Sequence, residues 1–174
     1  VWLGQSAVQH PAEFAPLLAL YHDHQPRRVL EVGAGHGATL YHWLGHAPAG
    51  ALVVSLDDQH RNQHLYDEWI PAGVELVVIT GNSHHPDVIA QARARAPYDF
   101  IFIDADHHAV DVRADWLHYG EMTRPGSVVA FHDITPNSDP NCEVDQLWRE
   151  LRDTYDTAEL ATSGGNGIGM VLLP

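Results

Sequence analysis

Residues 29–37, Val-Leu-Glu-Val-Gly-Ala-Gly-His-Gly, leave this chain few folds to choose from. A short apolar run carrying one acid, Glu31, breaks into three alternating glycines, Gly33, Gly35 and Gly37, and Ala38 to Leu44 then reads as a helix. Glycine reaches backbone angles that other residues resist and lets a ligand approach the main chain closely. Between a strand and a helix N-terminus, such a turn is the nucleotide-binding corner of a doubly wound α/β sheet. The same run also satisfies the dinucleotide pattern G-x-G-x-x-G/A through Ala38, so the rest of the chain has to decide between ligands.

The alternation continues downstream. Pro11 to His24 reads as an amphipathic helix with proline in its first turn. Strands are expected at 29–32, 51–56, 74–80, 98–103 and 127–131, with helices at 38–44, 60–69, 86–95 and 109–122 between them and a turn at Arg124-Pro-Gly126. Most of these strands are continuous apolar runs, as parallel strands covered by helices on both faces should be. A helix at 143–154 is followed by two short strands, 157–161 and 168–172, around Gly164-Gly-Asn-Gly167. That is a hairpin signature, so the last strand should run antiparallel to its neighbour. The expected fold is therefore a Rossmann-like, doubly wound, mostly parallel seven-stranded sheet with an antiparallel last strand and helices on both faces. One domain spans 1–174, an N-terminal helical segment (1–27) preceding the core (28–174).

Charge narrows the partners. A formal charge of -14 supplies no field to attract nucleic-acid phosphates. All nine cationic residues are arginines, which excludes a P-loop lysine, a Schiff-base lysine and a Tyr-Lys dehydrogenase pair. Cys142 is the single cysteine and can form no internal disulfide, so a cytoplasmic location is the expectation. No apolar run approaches membrane-spanning length, and no membrane partner is expected. Most of the fourteen histidines should be ordinary surface residues.

In an open parallel sheet, ligands sit beyond the carboxyl ends of the strands. The sequence places polar groups at that rim after each strand in turn: Glu31 and the glycines, Asp57 and Asp58, Asn82 and Ser83, Asp104-Ala-Asp106-His107-His108, and His132-Asp133. Any one of these can be a helix cap or loop residue; together they point to a shared site. Asp57 lies 24 residues beyond Gly33, where an acid can accept hydrogen bonds from ribose hydroxyls, in NAD and S-adenosylmethionine alike. Glu31 separates the two, because a carboxylate is awkward beside a pyrophosphate and suits a ligand with an amino group and a sulfonium. The final hairpin points the same way.

These segments, Val29-Leu-Glu-Val-Gly-Ala-Gly-His-Gly37, Asp57, Gly81-Asn-Ser83, Phe102-Ile-Asp-Ala-Asp-His107 and Phe131-His-Asp133, resemble a class I S-adenosylmethionine-dependent methyltransferase. The resemblance is to the branch holding catechol-type and antibiotic-sugar O-methyltransferases and the cephalosporin-hydroxylase-like proteins. It implies that Glu31, Gly33, Gly35 and Gly37 hold the methionine end of the cofactor, Asp57 its ribose, and Asn82 and Ser83 its adenine side, with Asp104 bordering the cofactor. It also implies a divalent cation on Asp104 and an acidic pair after the fifth strand. Here that pair is His132-Asp133. Asp106 matches the general base proposed for the sugar O-methyltransferases.

The chemistry needs such residues. A hydroxyl is a poor nucleophile near neutral pH; a cation lowers its pKa while a carboxylate or imidazole takes the proton, and in-line positioning supplies much of the rate. Asp104 and Asp133 are the expected metal ligands and Asp106 or His107 the base. Magnesium is the expected ion and manganese the alternative, with His132 either a ligand, which would favour manganese, iron or zinc, or just outside the coordination sphere, as expected for magnesium. The acceptor should be a small hydroxylated molecule, with the 135–142 loop or Trp2 at its pocket and a second copy of the chain as a further source of a lid. Two other readings compete: an NAD-binding oxidoreductase, and a non-catalytic, histidine-rich metal-binding protein of the same fold.

Overall fold

A computed structural model describes residues 9–136 and 138–174; Trp2 lies outside them. Seven strands form one sheet: β1 (Arg28–Val32), β2 (Leu52–Asp57), β3 (Glu75–Thr80), β4 (Tyr98–Ile103), β5 (Thr123–His132), β6 (Asp156–Leu160) and β7 (Ile168–Leu172). Their order across the sheet is β3-β2-β1-β4-β5-β7-β6. The first five pair in parallel, and β7 runs antiparallel between β5 and β6. The strand order reverses between β1 and β4, which opens a crevice at their carboxyl ends.

Helices α1 (Pro11–His24), α2 (Ala38–His46) and α3 (Tyr66–Trp69) cover one face of the sheet; α4 (Pro86–Arg93), α5 (Ala109–Tyr119) and α6 (Val144–Thr154) cover the other. Strand alternation distributes the core accordingly. Val29, Val53, Phe100 and Phe102 pack with Phe14, Leu17, Tyr21 and Trp43 on the first face, while Leu30, Val54, Ile101 and Val129 pack with Val88, Val112 and Trp148 on the second. On α6, Val144, Leu147, Trp148 and Leu151 recur at helical spacing and are all buried. Full burial of each such side chain contributes roughly 1.5–3 kcal/mol. The tryptophans of the helices serve packing: Trp43, Trp69 and Trp148 are buried, and Trp116 lies partly buried against the core.

Two local expectations need correction. The helix read over 60–69 is reduced to one 3-10 turn, Gln63–Leu65, and the four-residue α3. The segment is rich in polar residues and has no apolar stripe long enough to hold a longer helix on the sheet. The Arg124-Pro-Gly126 turn is absorbed into β5 as an irregularity, with Gly126 at φ +83° and the pairing with β4 slipping between Tyr98 and Phe100.

One polar anchor fastens the N-terminal helix. Glu13 is fully buried, and its carboxylate accepts hydrogen bonds from Thr162 N (2.7 Å), Thr162 Oγ1 (2.9 Å) and Gly167 N (3.1 Å). It thereby ties α1 to the β6–β7 turn, which in turn holds the chain leaving β5 through Thr135 N to Asn166 O (2.9 Å).

Candidate active site

The crevice is a cleft of about 550 Å³ running from the glycine turn to the end of β5. Its walls carry Gly33, Gly35, Asp57, Asn82, Ser83, Asp104, Asp106, His107, His132 and Asp133, so the topology gathers most residues singled out from the sequence into one space. Glu31 and Gly37 do not line it. Gly37 starts α2 at φ +80°, where an added Cβ would come 2.8 Å from the Trp69 ring.

The glycine turn is shaped first by the protein itself. An added Cβ on Gly33 would stand 2.1 Å from the Asp104 carbonyl oxygen, so only glycine lets the turn lie against the end of β4. Asp57 closes the turn from the neighbouring strand: its Oδ2 accepts from Gly35 N at 2.7 Å and its Oδ1 from Gln59 N at 2.7 Å.

Glu31 lies beneath the turn, fully buried on the face that Trp43 occupies. Trp43 Nε1 donates to its Oε1 at 3.0 Å, while Oε2 is buried with no hydrogen-bond partner. Burial pushes the Glu31 pKa up to about 8, against the lowering effect of hydrogen bonds from Thr39 and Trp43.

At the other end, two carboxylates and two imidazoles converge. His132 Nδ1 stands 3.3 Å from Asp104 Oδ1 and 3.0 Å from Asp133 Oδ2. His107 Nε2 stands 3.6 Å and 3.0 Å from the same two oxygens. Burial alone would raise both carboxyl pKa values, yet the neighbouring imidazoles hold Asp104 and Asp133 below the usual carboxylate range. The carboxylates in turn raise His107, and they raise His132 against its own burial. Asp133 adopts φ +63°, a left-handed conformation that costs an aspartate about 1 kcal/mol or more and turns its carboxylate into the cluster.

Asp106 faces the cleft from an exposed position. Its Oδ1 accepts from His108 N (2.9 Å) and contacts His108 Nδ1 (2.7 Å). Burial acts to raise its pKa, but those contacts together hold it below the usual carboxylate value.

Several residues at the site carried no sequence signal. Gln9, 95 residues away, donates its amide to Asp104 Oδ2 at 2.6 Å, and its own Oε1 is buried without a partner. The Cys142 thiol comes within 4.8 Å of ligand atoms on His107 and Asp133. A lone glutamine before a helix and a lone cysteine in a loop have no spacing to read, so only the fold could bring them here. The 135–142 loop, read as a lid, connects to the site where Glu143 N donates to the His107 carbonyl at 2.8 Å.

The chemistry of the walls is lopsided. Six aspartates (57, 58, 104, 106, 111 and 133) and one arginine, Arg61, line the cleft. Such a surface suits a cationic ligand and a metal ion and disfavours a pyrophosphate.

A family model described as a methyltransferase domain matches residues 30–134. No protein of curated function matches the sequence significantly. Among solved structures, an O-methyltransferase from Bacillus cereus in complex with S-adenosylhomocysteine aligns with a TM-score of 0.72 and 21% identity, over 91% of this chain and 79% of that one. The O-methyltransferase TomG of Streptomyces achromogenes, involved in tomaymycin synthesis and bound to S-adenosylmethionine, aligns at 0.68 and 22%, over 91% and 80%. The methyltransferase MycE of mycinamycin biosynthesis, in complex with magnesium and S-adenosylhomocysteine, aligns at 0.66 and 17%, over 92% of this chain and 49% of its own. At these identities the likeness speaks to the fold.

Proposed function

This chain belongs to the methyltransferase-domain family, of the class I S-adenosylmethionine-dependent kind, and from that premise we propose that it methylates a hydroxyl group of a small molecule with the help of a divalent cation. The observation that carries the reading is the convergence of Asp104, His107, His132 and Asp133 at one end of a cleft whose other end is the glycine turn. The aspartate-rich walls fit a donor that bears ammonium and sulfonium charge.

S-adenosylmethionine supplies an electrophilic methyl group, and a bound divalent cation lowers the pKa of the acceptor hydroxyl and fixes its direction. The chain's own residues do the rest. The Gly33–Gly35 backbone holds the methionine end above the buried Glu31, Asp57 the ribose hydroxyls, and Asn82 and Ser83 the adenine side. Asp104 joins the two halves: its carbonyl borders Gly33 while its carboxylate faces His107 and His132. Asp104 and Asp133 would hold the cation. His107 Nε2 is committed to the two carboxylates, so we assign the proton acceptor to Asp106, whose contacts with His108 both use Oδ1.

Calorimetric titration with S-adenosylhomocysteine, S-adenosylmethionine and NAD, each with and without magnesium or manganese, tests the first half of the reading. Tight binding of S-adenosylhomocysteine and none of NAD is expected, followed by labelled-methyl transfer to a panel of catechols and sugars that stops when the metal is chelated. Binding of NAD alone, or metal-independent transfer, would refute it.

A further inference from the structure

The metal end of the cleft holds more nitrogen than a magnesium site uses. Magnesium keeps oxygen ligands and much of its own water, whereas imidazole nitrogen suits zinc, iron and their late first-row neighbours. In this chain four donor atoms come from two adjoining strand ends: Asp104 and His107 beyond β4, His132 and Asp133 at the end of β5. Each imidazole nitrogen lies 3.0–3.6 Å from both carboxylate oxygens. Asp104, His132 and Asp133 offer three ligand atoms all within 4.8 Å of one another, and His107 joins Asp133 and Cys142 in a second such group. With bonds near 2.1 Å, adjacent ligands stand about 3.0 Å apart in an octahedron and about 3.4 Å apart in a tetrahedron.

His107 Nε2 is a buried atom that makes no well-aligned hydrogen bond, although two carboxylate oxygens stand beside it. The His132 side chain is 2% exposed, so its nitrogen is aimed at this space without competition from solvent. Gln9 occupies Asp104 Oδ2 and leaves Oδ1 turned to the imidazoles. The nearby Cys142 thiol adds a soft donor at the border, again the opposite of what magnesium selects.

We propose that this site takes a nitrogen-preferring divalent transition ion of the iron(II), cobalt(II) or zinc class, with His132 and His107 as ligands beside Asp104 and Asp133. The inference rests on the cation-dependent reading and departs from magnesium as its ion. Its consequence for the reaction is a stronger Lewis acid at the acceptor hydroxyl.

The test uses metal-free protein titrated calorimetrically with cobalt(II), zinc and magnesium chlorides, with visible absorption recorded for cobalt. One equivalent of cobalt should bind, give ligand-field bands of a nitrogen-containing site, be displaced by zinc, and bind at least about a hundredfold more tightly than magnesium. His107→Gln and His132→Asn should each weaken cobalt by about tenfold or more and shift its bands, while magnesium affinity changes by less than about threefold. Circular dichroism checks the fold; if the buried His132→Asn protein does not fold, the half-exposed His107→Gln carries the test. Magnesium affinity within tenfold of cobalt, or cobalt binding unchanged in the folded variants, would overturn the inference and leave the cation-dependent reading standing on the carboxylates. Failure of all three ions to bind would overturn both, and S-adenosylhomocysteine binding would then report separately on the methyltransferase itself.

Discussion

Replacing Glu31 by glutamine should change how the stability of this protein depends on pH. Glu31 is fully buried, and its pKa stands at about 8 in the folded chain against 4.5 for an ordinary glutamate. Between those values the folded state keeps a proton that the unfolded state has released. The folded state then binds more protons, so stability falls as pH rises, is complete below about 4.5, and levels off above about 8. At 1.36 kcal/mol per pH unit, the wild type should lose roughly 3.5 kcal/mol between pH 5 and pH 8 relative to Glu31→Gln. Glutamine can still accept from Trp43 Nε1 and cannot ionise. Urea unfolding of both proteins at half-unit steps from pH 4.5 to 8.5 gives the difference curve directly. Parallel curves would show that Glu31 is charged in the fold at neutral pH, and would refute the burial argument.

The glycine turn gives a matched pair. Gly33→Ala should destabilise by about 3 kcal/mol or more, because its Cβ meets the Asp104 backbone at a φ of +93°. Gly35→Ala, with φ +51° and nothing within 4 Å, should cost only about 1–2 kcal/mol; thermal melts compare them. Asp57→Asn should weaken S-adenosylhomocysteine about 10- to 100-fold by calorimetry, through lost charge-assisted bonds to the ribose and a loosened Gly35. Glu13→Ala should cost about 3 kcal/mol in urea unfolding, since three donors of the β6–β7 turn lose their buried acceptor. Asp133→Asn should keep the fold, as asparagine tolerates φ +63°, yet lose metal binding at least tenfold in the same titrations.

The fold was legible because its signals are local. The helix over Pro11–His24 and the strands over 98–103 and 168–172 fall where proline, glycine and the apolar runs put them. The 60–69 segment is the exception: its polar residues offer no apolar stripe for a long helix, and Asn62 Nδ2 instead donates to the His36 carbonyl at 2.8 Å. At the site, the rim residues could be named because each follows a strand. Which atoms face one another could not, since periodicity carries no information on side-chain direction beyond the strand end. Gln9 and Cys142 reach the cluster only through packing of α1 and the loop after β5.

Sequence by itself therefore determined the layered α/β architecture, the antiparallel last strand, and the set of acids at the rim, because these follow from apolar period and glycine punctuation along the chain. Tertiary structure alone decided that Glu31 is buried under the turn with one oxygen unpaired, that Asp106 turns to His108, and that His107 and His132 point at the same two carboxylates. The His107–Asp133 and His132–Asp104 contacts join the ends of different strands. They depend on register, burial and the left-handed turn at Asp133, which no run of neighbouring residues encodes.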